Sequence, residues 1–271
     1  MIKKIYKYTA ALLLAASLSL CGCSVDISGG LPPQAIVFTD TREKESIPES
    51  SDTGQPQTSE PENEEAPPET SRMIYESSFP EEYSELVSRC VFVGDSICSG
   101  LSAYGIVPEK NVVAQGNVAA RNIFDYTFDV GGTEVSLLPA LVDLKPEYIV
   151  FSMGMNDVNI TSQDTFCENY AEIVSLTESF IPDAKIIILS VTPVLADSKF
   201  TSNENIDSFN EALKNYFADR QDVLFADIST AIKNESNALR SDYSGGDGVH
   251  LAPGAYYDIL YELCRIVLGE I

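Results

Sequence analysis

Four short blocks hold the residues best suited to chemistry: Gly94-Asp95-Ser96, Gln115-Gly116-Asn117, Gly154-Met155-Asn156-Asp157 and Asp247-Gly248-Val249-His250. A serine hydroxyl is a weak nucleophile until a neighbouring base takes its proton, and an imidazole is the usual base near neutral pH. The chain has one histidine in 271 residues, so any Ser–His pair must use His250. Such a pair needs a carboxylate to fix the imidazole tautomer. Asp247 stands three residues before His250 in a glycine-containing loop and can fold back onto the ring. Asp95 and Asp157 are the alternative carboxylates. Each adjoins a candidate residue but points to another face of its turn, so both are read as structural. Taken singly, every block also has an ordinary use. Gly-Asp-Ser suits a turn and helix cap, Gly116 a tight turn, and Asn156-Asp157 an Asx-turn or cap.

The surrounding sequence says what must hold these blocks. Val91-Phe92-Val93 runs straight into Gly94-Asp95-Ser96, as a buried strand delivering a hydroxyl to the mouth of a sheet, with a helix-like segment behind it (Ile97, Leu101, Tyr104). Further strand candidates are residues 111–115, 148–153, 185–191 and 223–227. Ile186-Ile187-Ile188-Leu189 is continuously apolar, as a strand covered on both faces must be. Between the strands apolar residues recur at helical spacing: Phe166, Tyr170, Ile173, Val174 and Phe180; then Ile206, Phe209, Leu213, Tyr216 and Phe217. Thr161 or Ser162 caps the first of these helices. Ile259, Leu260, Leu263, Ile266 and Val267 mark a C-terminal helix. Strand–helix alternation implies a parallel sheet with helices on both faces. Three of the blocks then follow strands, where open α/β sheets place their ligands.

In this order, and at these strand ends, the blocks resemble the SGNH (GDSL-type) hydrolase family. The resemblance spans residues 79–271. It implies an α/β fold of three layers, α/β/α, with a five-stranded parallel sheet of flavodoxin-like type. It implies an enzyme that hydrolyses esters through an acyl-serine intermediate, without cofactor. The catalytic residues would be Ser96, Asp247 and His250. The oxyanion donors would be the N–H of Ser96, the N–H of Gly116 and the side-chain amide of Asn156. The α/β-hydrolases share the order Ser, Asp, His, but they place the serine in G-x-S-x-G. Gly94-Asp95-Ser96-Ile97-Cys98 lacks the second glycine, and Ser96 follows the first strand, so that fold is excluded. Gly105, Arg121, Asn122, Asn159 and Asn205 are further candidates to line the cleft.

Charge and cysteines narrow the partners. A net charge of -24 excludes a nucleic-acid binder, which must meet phosphates with Lys and Arg. It signals solubility instead. Of the six cysteines, Cys90, Cys98, Cys167 and Cys264 are scattered through the body without a C-x-x-C pair. With one histidine available, a zinc site of the Cys/His type is not expected. The four thiols are either buried and free or joined in one or two disulfides.

The N-terminus reads as a targeting segment. Lys3, Lys4 and Lys7 precede an apolar run too short to span a bilayer, and residues 1–22 have the form of a secretory signal peptide. Leu20-Cys21-Gly22-Cys23 resembles a bacterial lipobox, with Cys23 as the lipid acceptor. Residues 23–78 are dense in Pro, Glu, Ser and Thr and form an acidic disordered tether; residues 79–271 form the folded domain. The expectation is an extracytoplasmic, lipid-anchored esterase that acts on O-acetyl groups of carbohydrate or cell-wall polysaccharide. A lipase or lysophospholipase, an O-acetyltransferase and an inactive carbohydrate-binding lipoprotein are the alternatives.

Overall fold

A computed structural model of the chain describes residues 79–270. The signal-like segment, Cys23, the tether and Ile271 lie outside the described residues.

The elements follow one another as α1 (Glu81–Ser88), β1 (Cys90–Gly94), α2 (Ser96–Ala103), β2 (Val112–Ala114), β3 (Thr127–Asp129), β4 (Glu134–Ser136), α3 (Leu137–Leu144), β5 (Tyr148–Ser152), α4 (Gln163–Phe180), β6 (Lys185–Leu189), α5 (Asn203–Phe217), β7 (Val223–Ala226) and α6 (Pro253–Leu268). Five strands make one parallel sheet in the order β2-β1-β5-β6-β7, and β3–β4 is a small antiparallel hairpin. All five residues of β1 are buried, as are four of the five in β5 and in β6. Strands buried on both faces need helices on both sides. Here α1 packs on α6, while α3, α4 and α5 pack in series. Phe92, Phe151, Phe166 and Tyr170 are fully enclosed, and each contributes roughly 2–3 kcal/mol of burial free energy.

Local signals explain the helix ends. Ser162 accepts the N–H of Thr165 at 3.2 Å, so it rather than Thr161 caps α4. Pro253 opens α6, where its missing N–H costs nothing, and Gly269 closes the helix at φ +72°.

The sheet order reverses at β1. Strands β2 and β5 flank it, and the register pairs Gly94 with Ala114 on one side and with Ser152 on the other. This is the topological switch point, where such sheets open a crevice at their carboxyl ends. The register places Ser96 and Gly116 at matching positions, each two residues past a paired residue. Asn156 lies four residues past Ser152.

Differences from the sequence reading are local. The hairpin β3–β4, helix α3 and helix α1 were not anticipated. Val191 and Asp227 lie just beyond β6 and β7. Tyr216, assigned to the apolar face of α5, is half exposed. Cys90, Cys98, Cys167 and Cys264 are all free and buried. Among the described residues, no helix is long and apolar enough to cross a membrane.

Candidate active site

Ser96 is the first residue of α2. It gets there because β1 ends in a residue that must be glycine. A Cβ on Gly94 would sit 1.9 Å from the carbonyl oxygen of Ser152 and 2.7 Å from Cβ of Cys98. Asp95 then turns its side chain inward, accepts the N–H of Ile97 at 2.9 Å and caps the helix. This leaves Ser96 half-buried at the mouth of the sheet. Its N–H, in the first turn of a helix, has no preceding turn to donate to.

Ser96 Oγ lies 3.0 Å from Nε2 of His250, and Nδ1 of His250 lies 2.5 Å from Oδ2 of Asp247. A carboxylate can only accept, so Nδ1 carries the ring proton and Nε2 is left to accept from the serine hydroxyl. The other oxygen of Asp247 accepts the N–H of Val249 at 2.9 Å and of His250 at 2.8 Å. Burial pushes this carboxyl up, but the His250 ring and the two N–H groups outweigh that and hold it below the ordinary aspartate value. Asp247 is therefore an anion at neutral pH, the state in which a carboxylate can stabilise an imidazolium.

The loop carrying Asp247 and His250 is fixed at three points. A bridge joins Ser244 to Leu251, the N–H of Gly245 donates to the carbonyl of His250 at 2.7 Å, and the N–H of Leu195 donates to the carbonyl of Gly248 at 2.9 Å. Leu195 belongs to the segment after β6, which two buried asparagines of α5 hold in place. Asn210 pairs with both the N–H and the carbonyl of Val191, at 2.7 and 2.9 Å. Asn203 does the same to Val194, at 3.0 and 2.9 Å. The sequence reading missed these residues. Their signal was an asparagine on the apolar side of a helix.

The second and third blocks are laced together. Asn156 Nδ2 donates to the carbonyl of Val118 at 2.9 Å, which uses one of its two hydrogens and orients the amide. Asp157, fully buried, accepts the N–H of Ala120 at 2.8 Å. Among the described residues the Gly116 N–H has no backbone acceptor, and a Cβ at Gly116 would meet nothing within 4 Å. The space over Gly116 is open.

The other two aspartates stand apart from the triad. Burial raises Asp95 to about 6 against the pull of the Ile97 and Cys98 N–H groups, with the Asp157 charge adding to the rise. Asp157 is also raised by burial, opposed by the Ala120 N–H and by Arg121. The candidate cleft residues serve the framework. Asn159 donates to the carbonyl of Phe200 at 2.7 Å, Asn205 to that of Val158 at 2.9 Å, and Asn122 accepts the N–H of Ala119 at 2.8 Å. Gly105 follows the end of α2 at φ +65°, and Arg121 is bound to Asn156 and Asp157.

The model of the GDSL-like lipase/acylhydrolase family matches residues 92–256, more than half of the chain and all four blocks. The chain belongs to this family. It is an ester-hydrolysing enzyme of the GDSL type. Solved structures share the fold. A candidate platelet activating factor from Streptococcus pneumoniae aligns over 74% of this chain and 99% of its own, at 17% identity and a TM-score of 0.52. A GDSL-like lipase from Bacteroides thetaiotaomicron aligns over 75% and 98%, at 18% identity and a TM-score of 0.51. A candidate acylhydrolase from Bacteroides fragilis aligns over 67% and 86%, at 20% identity and a TM-score of 0.51. No curated protein matches the chain at the same stringency.

Proposed function

We propose that this GDSL-type hydrolase acts as an extracytoplasmic esterase that removes acyl groups, O-acetyl above all, from carbohydrate or cell-wall polysaccharide. The observation that carries the chemistry is the continuous relay from Ser96 Oγ through His250 to Asp247, at 3.0 and 2.5 Å. His250 Nε2 takes the hydroxyl proton as Ser96 Oγ attacks the ester carbonyl carbon. The tetrahedral oxyanion forms against the N–H groups of Ser96 and Gly116 and the free hydrogen of the Asn156 amide. The imidazolium returns its proton to the alkoxide leaving group, and an acyl-serine remains. Water, deprotonated by His250, then releases the carboxylic acid.

The substrate reading rests on two observations. His250 and Asp247 are half exposed, with side chains 50% and 54% accessible. An open triad admits an acyl group borne on a bulky polymer. The space over Gly116 is open as well, since a Cβ there would meet nothing within 4 Å. Location rests on the sequence of residues 1–23, which would place a diacylglycerol on Cys23. Two acyl chains give stable membrane attachment where one does not. The acidic tether would then present the enzyme to the wall.

An acyl-chain series on p-nitrophenyl esters, run beside acetylated xylan and acetylated peptidoglycan, tests the substrate class. The expected result is highest kcat/KM on acetyl and release of acetate from a polymer. Preference for long-chain esters would favour the lipase alternative. Transfer of the acetyl group to added sugar in place of hydrolysis would favour the acetyltransferase. No turnover of any ester would leave the carbohydrate-binding alternative. Incorporation of labelled fatty acid by the wild type and not by Cys23→Ala tests the anchor.

A further inference from the structure

Residues 115–122, which carry Gly116, form turns and irregular backbone held partly by their own hydrogen bonds, such as the Ala119 N–H to Asn122. The third block adds a second set. Five hydrogen bonds cross between the two. Asn156 Nδ2 donates to the Val118 carbonyl at 2.9 Å. The Asp157 carboxylate accepts the N–H of Ala120 at 2.8 Å and of Arg121 at 3.4 Å. One guanidinium nitrogen of Arg121, Nη1, donates both to Asp157 Oδ1 at 3.2 Å and to the main-chain carbonyl of Asn156. The Asp157 side chain is fully enclosed, and Arg121 is the cation paired with it, itself 29% accessible. An enclosed carboxylate without a paired charge is strongly disfavoured. Arg121 therefore does two things from one atom. It keeps Asp157 usable as an anionic clamp on the Gly116 loop, and it grips the main chain of Asn156.

We propose that Arg121, acting through Asp157 and Asn156, is a positioning residue that sets the distance between the Gly116 N–H and the Asn156 amide, the two oxyanion donors outside helix α2. This rests on the triad and oxyanion assignment above and deepens it. Oxyanion donors act only when 2.7–3.1 Å from the charge as it forms, so their spacing governs the transition state and leaves ground-state binding nearly untouched. Arg121 touches no reacting atom.

The test uses the full chain, p-nitrophenyl acetate and three variants. Arg121→Ala is expected to lower kcat about 10–100-fold, with KM within about threefold of wild type, and low-millimolar guanidinium is expected to restore part of the loss. Arg121→Lys keeps a charge beside Asp157 without the planar fork. It is expected to fold, keep KM and lose less kcat than the alanine variant. Should Arg121→Ala fail to fold, the lysine variant decides. The proposal is overturned if kcat stays within twofold of wild type in both variants, if the loss falls on KM alone, or if a folded Arg121→Ala is not rescued. Ser96→Ala separates the two levels. Full activity in Ser96→Ala sinks the serine-esterase reading itself. An inactive Ser96→Ala beside a normal Arg121→Ala sinks only the role of Arg121.

Discussion

Asp247 holds His250 twice: its Oδ2 lies 2.5 Å from the ring Nδ1, and its Oδ1 accepts the backbone N–H of the same histidine at 2.8 Å. Ring and backbone are thus fixed by a single side chain three residues away. Asp247→Asn keeps the size but offers the ring an amide. It is expected to lower kcat by about 10³–10⁴, through loss of the tautomer and of the charge opposite the imidazolium. The carboxyl sits below its ordinary value, so this support is complete at neutral pH. It persists as pH falls past the unfolded aspartate pKa and is lost only below that, through the depressed native value. A kcat profile of wild type from pH 8 down to 4 should show no loss attributable to Asp247. An unchanged kcat in Asp247→Asn would contradict the assignment.

Two glycines of the site should respond in opposite ways to the same methyl group. Gly94→Ala drives a Cβ into the Ser152 carbonyl, so strand β1 must shift. The expected cost is about 3 kcal/mol or more, read as a drop in Tm. Gly116→Ala meets no protein atom and should leave stability within about 0.5 kcal/mol of wild type. Its kcat/KM on p-nitrophenyl acetate should nonetheless fall, because the methyl stands where substrate approaches. A Gly116→Ala enzyme with full activity would show that substrate does not approach over Gly116.

Asp95 makes stability depend on pH. Its native pKa of about 6 lies above the unfolded value, so the native state binds more protons between the two. Stability therefore falls as pH rises through this window, by about 3 kcal/mol in all. Asp95→Asn preserves a good helix cap without the charge. The Tm difference between Asp95→Asn and wild type should move in favour of the variant from pH 4 to pH 6.5 and then level off. A difference that is constant from pH 4 to 8 would contradict the burial of a charge.

The sheet was legible in the sequence because its strands are buried on both faces. Ile186-Ile187-Ile188 has no polar residue to mislead, and β1 ends where Gly94 must be small. The meeting of Ser96, His250 and Asp247 was legible because the sequence has no other histidine. The hairpin β3–β4 was not, since Thr127–Asp129 and Glu134–Ser136 offer only three residues each and one buried side chain, Phe128. Asn203 and Asn210 were not, because a helical period shows that a residue faces inward but not what an inward asparagine will bind. Arg121 read as a cleft residue for the same reason. Only the structure brings it to Asp157, across 36 residues of chain.

Asn203 offers a test of the framework behind the histidine loop. Asn203→Ala leaves the N–H and carbonyl of Val194 without these partners, although Val194 O keeps the Leu239 N–H at 2.9 Å. The expected loss is about 1–3 kcal/mol. Leu195, the next residue, holds Gly248, so kcat should fall as well, even at temperatures where the variant is fully folded. A destabilised variant with wild-type kcat would uncouple this segment from the triad.

The central claim is that Ser96 is the nucleophile. The most direct measurement is the rate of p-nitrophenyl acetate hydrolysis by wild type and by Ser96→Ala at equal concentrations of folded protein. The account expects hydrolysis by the wild type and a fall of at least about 10³-fold in Ser96→Ala. Equal rates in the two proteins would contradict it.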